Sequence, residues 1–298
     1  MSSTLEQRIE SLVDLTGSNA LVTGGGTGIG LMISKGLAGK GAKVYITGRR
    51  MEVLEKVISE FDDRASIIPI QMDVTNKASI ANAVQKIEEA DGKLNVLVNN
   101  AGITGPGYAP DPPPNDIPLP DTESIVAYGK RLFEQTSEDW DVVARTNVAA
   151  SFFVTTAFLG LLAKGAEGEK GRIASVINIS SISGWSKLNW GFYAYDCSKA
   201  ALSHFTRVFA TDMSLKRAPV RVNGISPGPF PSQLSTEARN LEQLLQTNFL
   251  GSPIPPPLRR AGREEEIAAL AVYLASPISD YVTGQDIIID GGFALVNP

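Results

Sequence analysis

Short apolar runs rich in β-branched residues recur along the chain at residues 20–23, 42–47, 67–72, 94–98, 173–179, 220–225 and 287–289. Between them lie stretches whose apolar positions repeat with the helical period, at 29–38, 52–61 and 78–89. Strand and helix alternating over short connections predict an α/β fold, a doubly wound parallel sheet with helices on both faces. Such a sheet binds its ligand at the carboxyl ends of the strands. Two regions break the rhythm, 103–136 and 229–258. The first contains GPGYAPDPPPNDIPLPD, whose prolines exclude helix and central strand and predict a surface excursion. The second holds PGPFPSQL and SPIPPPLRR around a short helical piece at 237–247. Each follows the carboxyl end of a predicted strand, so both are expected at the mouth of a site. With no internal repeat and no linker, residues 1–298 read as a single domain.

Composition narrows the function mainly by exclusion. A chain of 298 residues, 43% hydrophobic and 20% charged, is ordinary for a globular protein, and its net charge of -5 provides no basic field. Nucleic acid and anionic membrane surfaces are therefore not expected partners; a small molecule is. With one cysteine, Cys197, and one histidine, His204, neither an internal disulfide, a zinc cluster nor a Ser-His triad is supported, and no metal is expected. The opening MSSTLEQRIESLVDL lacks the basic and apolar segments of a secretory signal, so cytoplasmic residence is the default expectation. Residues 148–163 are strongly apolar, but they fall short of the roughly 20 residues of a spanning helix. Ser151, Thr155 and Thr156 also interrupt them, so a helix buried against the sheet or a partner subunit is expected.

Directly after the first strand stands TGGGTGIG, comprising Thr23, Gly24, Thr27, Gly28, Ile29 and Gly30 among its residues. Glycines here let the chain turn tightly and let backbone N–H groups approach a pyrophosphate at a helix N-terminus. A purely structural strand-to-helix turn is the alternative. The second strand ends VYITGRR. An acidic residue at its end would accept hydrogen bonds from a ribose; here Gly48 is followed by Arg49 and Arg50, whose guanidinium forks match a 2′-phosphate. NADP(H) is thus the expected cofactor, unless both arginines merely face solvent. Asp73 and Val74 close the third strand, where Asp73 either meets the adenine edge or caps the following helix.

The segment YDCSK places Tyr195 and Lys199 at i and i+4, on one helical face. A free phenol, with a pKa of about 10, is a poor proton exchanger at neutral pH, and a neighbouring ammonium is expected to favour its ionised form. Tyr193 has Cys197 four residues on, so Tyr195 is the candidate. At the end of the fifth strand, Ser180 and Ser181 offer a hydroxyl to a substrate oxygen or simply make a turn. His204 reads as a packing or surface residue, and Cys197 as facing away from the pair. Trp185, Trp190, Phe192 and Tyr193 provide either an apolar substrate wall or packing.

Taken in order, TGGGTGIG, the NNAG at 99–102, Asn147, Ser181, YDCSK and the SPG at 226–228 resemble the short-chain dehydrogenase/reductase family, over nearly the whole chain. The resemblance extends through VRVNGISPG to YVTGQDIIIDGG. It implies a Rossmann-type fold and hydride transfer between NADP(H) and a carbonyl or secondary alcohol. Tyr195 would be the general acid of reduction, or base of oxidation. Ser181, which directly precedes ISG, would polarise the carbonyl. Lys199 would lower the tyrosine pKa and hold the nicotinamide ribose, and Asn147 would anchor a water linking Lys199 to solvent. Asn100, Ala101 and Gly102 would line the cofactor beside the fourth strand. Pro227, Gly228 and Phe230 would meet the nicotinamide, with Ser232 where a threonine is common. The resemblance also implies a homodimer or homotetramer, built through the helices after the fourth and fifth strands.

Ser181 and Tyr195 lie 14 residues apart, about one more than the family spacing, and the proline-rich insertion after NNAGIT is longer than in most relatives. That insertion leaves the substrate open and reads as a lid, an oligomer contact or plain surface. The expected activity is reduction of a hydrophobic ketone by NADPH, such as a 3-oxoacyl thioester, a polyketide or terpenoid intermediate, or a xenobiotic. Oxidation of an alcohol, a non-redox use of the pocket, and a nucleotide-binding role without turnover are the rivals.

Overall fold

The computed structural model describes residues 4–59, 67–105, 124–167, 173–189, 191–232, 238–246 and 254–297. Each apolar run becomes a strand: β1 (Asn19–Thr23), β2 (Lys43–Gly48), β3 (Ile67–Gln71), β4 (Val96–Asn99), β5 (Ala174–Ile179), β6 (Val220–Pro227) and β7 (Asp286–Ile289). All pairings are parallel, in the order β3-β2-β1-β4-β5-β6-β7. This is the Rossmann-type sheet. β1, β4, β5 and β6 are buried along their whole length, as strands covered on both faces must be.

Two apolar layers sandwich the sheet. On one face α2 (Gly28–Ala38), α3 (Met51–Ser59) and α10 (Glu264–Ala275) bury Ile33, Leu37, Leu54 and Ile267. On the other, α4 (Lys77–Asp91), α7 (Ala150–Ala166) and α8 (Tyr193–Leu215) bury Ile87, Phe158, Leu162 and Phe209. Each such side chain contributes about 1.5–3 kcal/mol relative to exposure. The strand order reverses between β1 and β4, and at that point the loops at the carboxyl ends diverge and leave a crevice.

Two expectations are corrected. The apolar segment at 148–163 belongs to a much longer helix: α6 (Ser137–Ala144), a π-helical turn (Arg145–Ala149) and α7 run together as 30 residues, Ser137–Ala166. Its polar first third concealed the continuity. By length and composition this helix passes as a membrane span, so the argument from shortness fails; its apolar residues Val154, Phe158 and Leu161 instead pack on the sheet. Second, the 103–136 region is not irregular throughout. It carries α5 (Ile125–Phe133), started by Ser124, whose hydroxyl accepts from Ala127 N–H, and ending in Lys130 and Arg131. The proline-rich residues 106–123 lie outside the described residues. In the second irregular region the expected helix is α9 (Ala238–Gln246). Its Leu241 and Leu245 pack with Ala261 in a small separate cluster.

Candidate active site

A cleft of about 510 Å³ opens at the carboxyl ends of β1, β2, β4 and β5. Its first wall is the glycine turn. Gly24 and Gly28 adopt left-handed backbone with φ of +64° and +52°, which favours glycine, and both line the cleft with Thr27 and Ile29. Thr27 caps α2 without a side-chain hydrogen bond, so the first-turn amides are not satisfied by their own cap. Gly30 does not line the cleft; a Cβ there would collide with the Gly24 carbonyl and Asn100 Nδ2, so this glycine holds the turn against β4. Thr23 is likewise a strut. Buried in β1, its hydroxyl donates to Val98 O at 3.3 Å and accepts from Asn100 N and Ala101 N.

The second wall comes from β2 and β3. Arg49 and Arg50 line the cleft and are exposed, and neither forms an ion pair with a carboxylate among the described residues. Asp73 and Val74 also line it. Asp73 is not the cap of α4, a role taken by Asn76, which accepts from Ser79 N. Instead its Oδ1 accepts from Thr75 N and Thr75 Oγ1 at 2.9 and 2.7 Å, and these bonds, with Arg49 nearby, hold the carboxyl below the usual range. Thr47 Oγ1, buried at the end of β2, has no hydrogen-bond partner among the described residues. An uncapped helix N-terminus, a glycine cradle, and arginines without a carboxylate at the β2 end together fit a phosphorylated dinucleotide.

Asn100, Ala101 and Gly102 form the base of the cleft. Asn100 Nδ2 donates to Thr23 O and Gly24 O, tying β4 to the glycine turn. Across from Gly102 stand Lys199 and Asn147; a Cβ on Gly102 would lie 3.6 Å from Lys199 Nζ and 3.1 Å from Asn147 Oδ1. Asn147 sits in the π-helical turn, a distortion often found at functional sites. Its Oδ1 accepts from Ile103 N at 2.9 Å, while Nδ2 donates to Ile103 O and to Ser198 Oγ. These bonds pin the insertion's first residues to the helix.

Tyr195 and Lys199 meet on one face of α8, with Nζ 5.6 Å from the ring centroid and donating to Ile179 O at 2.8 Å. At the end of β5, Ser181 Oγ accepts from Ser183 N at 3.1 Å, and its hydroxyl favours the ionised form of the Tyr195 phenol. Ser180 lines the cleft, but its hydroxyl serves Lys199 O and Ser203 Oγ. Burial, rather than Lys199, dominates the Tyr195 phenol. Burial pushes the Tyr195 phenol up to about 12, with Ser181 opposing, and the same burial pulls the Lys199 ammonium down to about 8, with Asp286 opposing. Out of water neither charged form is favoured.

The loop after β6 also differs from expectation. Ser232 lines the cleft and lies against Gly28, whose Cβ would stand 3.0 Å from Ser232 Cβ. Pro227, Gly228 and Phe230 do not line it. A Cβ on Gly228 would press on Asp290, and the Phe230 ring is buried over Gly262, facing a separate cavity of about 220 Å³. Phe230 packs inward because Gly262 leaves it room. Val142 and Thr146 of the long helix line the cleft and were missed, because that helix was expected to begin only at 148. Trp185 donates its indole N–H to Ser226 Oγ, whereas Trp190 lies outside the described residues. His204 and Cys197 are both exposed.

The short chain dehydrogenase family model matches residues 18–243. A short-chain dehydrogenase/reductase of Diaporthe leptostromiformis, PhomF, is 36% identical over 96% of this chain and 94% of its own. The rhamnolipid-biosynthesis 3-oxoacyl-acyl-carrier-protein reductase of Pseudomonas aeruginosa is 34% identical, over 94% of this chain and 98% of its own. Among solved structures, the RhlG/NADP active-site complex of Pseudomonas aeruginosa superposes with a TM-score of 0.79 at 34% identity, covering 95% of this chain and 98% of that one. The chain belongs to the short-chain dehydrogenase/reductase family, a family of oxidoreductases that bind a nicotinamide cofactor.

Proposed function

We propose that this protein is an NADP(H)-dependent reductase that converts a hydrophobic ketone to a secondary alcohol. The observation that carries the reading is that Tyr195 and Lys199, with Nζ 5.6 Å from the ring centroid, line one cleft together with Gly102 and the glycine turn. Arg49 and Arg50 would hold a 2′-phosphate, the α2 N-terminus the pyrophosphate, and Lys199 the nicotinamide ribose. The bound cofactor supplies the hydride. Ser181 hydrogen-bonds the substrate oxygen and stabilises the charge that develops there. Tyr195, which burial keeps protonated, donates its proton to that oxygen. Its direct neighbours resupply the proton, by way of Lys199 and a water held near Asn147.

The cofactor complex of the Pseudomonas aeruginosa neighbour and the 3-oxoacyl reductase among the relatives support NADP(H) and a carbonyl substrate. Assembly as a homodimer or homotetramer belongs to the same reading. Phe152 on α7 and Val208 on α8, 44% and 52% exposed, offer a second copy apolar surface. The test uses purified protein with NADPH or NADH and a panel of hydrophobic ketones, following loss of reduced-nicotinamide absorbance, beside Tyr195→Phe. Turnover with NADPH, scarcely with NADH and lost in the variant, is the expected result. Absence of NADPH binding would overturn the assignment.

A further inference from the structure

Between Tyr195 and Lys199 stands a serine to which the reaction above gives no part. Ser198 is buried in α8, and its hydroxyl has one proton to donate and lone pairs with which to accept. Oγ donates to Tyr195 O at 2.7 Å and accepts from Asn147 Nδ2 at 2.9 Å. Asn147, also buried, is itself bound twice to the backbone of Ile103, accepting from its N–H at 2.9 Å and donating to its carbonyl at 2.8 Å. Two side chains thus join Ile103, just past β4, to the backbone of Tyr195.

The backbone fixes the direction of this chain of bonds. Because an N–H only donates and a carbonyl only accepts, Ile103 allows the Asn147 amide one orientation, Oδ1 toward the N–H and Nδ2 toward the carbonyl. The second Nδ2 proton then goes to Ser198, whose own proton is left for Tyr195 O. Every donor of the two side chains is used. At the other end of the pair, Ser180 Oγ donates to Lys199 O at 2.9 Å and Lys199 Nζ donates to Ile179 O at 2.8 Å. The turn of α8 that carries the pair is therefore held at Tyr195 from the π-helical turn and at Lys199 from the end of β5.

We propose that Ser198 is a positioning residue that sets how the Tyr195 phenol stands relative to Lys199, acting through the Tyr195 carbonyl and through Asn147. The inference rests on the reading of Tyr195 as the acid-base group. In an α-helix the carbonyl of residue 195 already takes the N–H of residue 199. A serine hydroxyl on the same carbonyl bends the turn, and the anchor at Asn147 gives that bend one direction. The phenol and the ammonium both ride on this turn, with Nζ 5.6 Å from the ring centroid. Without the hydroxyl the turn relaxes toward regular helix, a buried Asn147 donor loses its acceptor, and the phenol leaves the geometry in which it meets the substrate oxygen.

The test is Ser198→Ala, which removes the hydroxyl with little change in volume. The kcat of ketone reduction should fall about 10–100-fold, the scale on which a displaced reacting group loses rate, while the Kd for NADPH measured by fluorescence stays within about twofold. Ser198→Cys, with a weaker donor in the same place, should fall between. A purely structural role would lower the denaturation midpoint and leave the kcat of the folded enzyme unchanged. Asn147→Ala, alone and combined with Ser198→Ala, reads the coupling: the combined loss in kcat should fall short of the product of the single losses, because both side chains act along one chain of bonds. An unchanged kcat in the alanine variant, or single losses that multiply, overturns the proposal. If the alanine variant does not fold, the cysteine variant is read in its place, and a parental kcat there overturns it. Retained turnover in Tyr195→Phe would instead remove the functional reading itself, which separates the two failures.

Discussion

The cofactor side of the cleft and the side toward α5 are built on different physical terms. On the first, the turn between β1 and α2 is held by backbone approach: Gly30 touches the Gly24 carbonyl, Asn100 bridges to Thr23 and Gly24, and Thr23 ties the strand to β4. On the second, α5 buries none of its residues, and Ile125, Val126 and Phe133 stand 79%, 64% and 91% exposed. Backbone geometry tolerates almost no substitution and so writes itself into short motifs. Side chains on an exposed helix that buries nothing are free to vary without cost to the fold.

Four measurements sharpen or break this contrast. The largest effect is expected at the point where the two sides meet: Tyr195→Phe should lower turnover by about 10²–10⁴-fold, the range for losing a positioned proton donor, while NADPH binding measured by fluorescence stays intact. Next, Gly30→Ala should cost about 1–3 kcal/mol of stability through overpacking, seen as a lowered denaturation midpoint, because the methyl would press on the Gly24 carbonyl and on Asn100 Nδ2, which is itself bonded to Thr23 O and Gly24 O. Replacing Arg49 and Arg50 together by alanine should weaken NADPH about 10–100-fold, the loss of charge-assisted hydrogen bonds, with NADH little changed. Equal loss for both cofactors would place the 2′-phosphate elsewhere. Smallest of all, Phe133→Ser should leave the denaturation midpoint within about 0.5 kcal/mol of the parent, as for other exposed positions. A large loss there would show that α5 is as tightly built as the glycine turn.

The same contrast governs what the amino-acid sequence reveals. Tyr195 and Lys199 were legible because helical spacing alone puts i and i+4 on one face. Ser181 over Ser180 was legible only through resemblance, since the choice depends on which hydroxyl α8 engages; Ser180 bonds Lys199 O and Ser203, leaving Ser181 to the phenol. Phe230 was misplaced because nothing local signals that Gly262, far along the chain, leaves space for its ring. Val142 and Thr146 were invisible because the polar start of the long helix hid its continuity through the π turn.

The strands themselves, the glycine turn, the absence of an acid after β2 and the Tyr195–Lys199 pair followed from local pattern, where each residue's neighbours in the chain are also its neighbours in space. Tertiary packing alone decided the ionisation of that pair. Desolvation drives the phenol up and the ammonium down, a balance set by how the sheet, α8 and the turn after β5 exclude water, with the Asp286 carboxylate brought from β7 opposing it at Lys199. Local pattern places charges along a chain; only the fold determines how much water each one keeps.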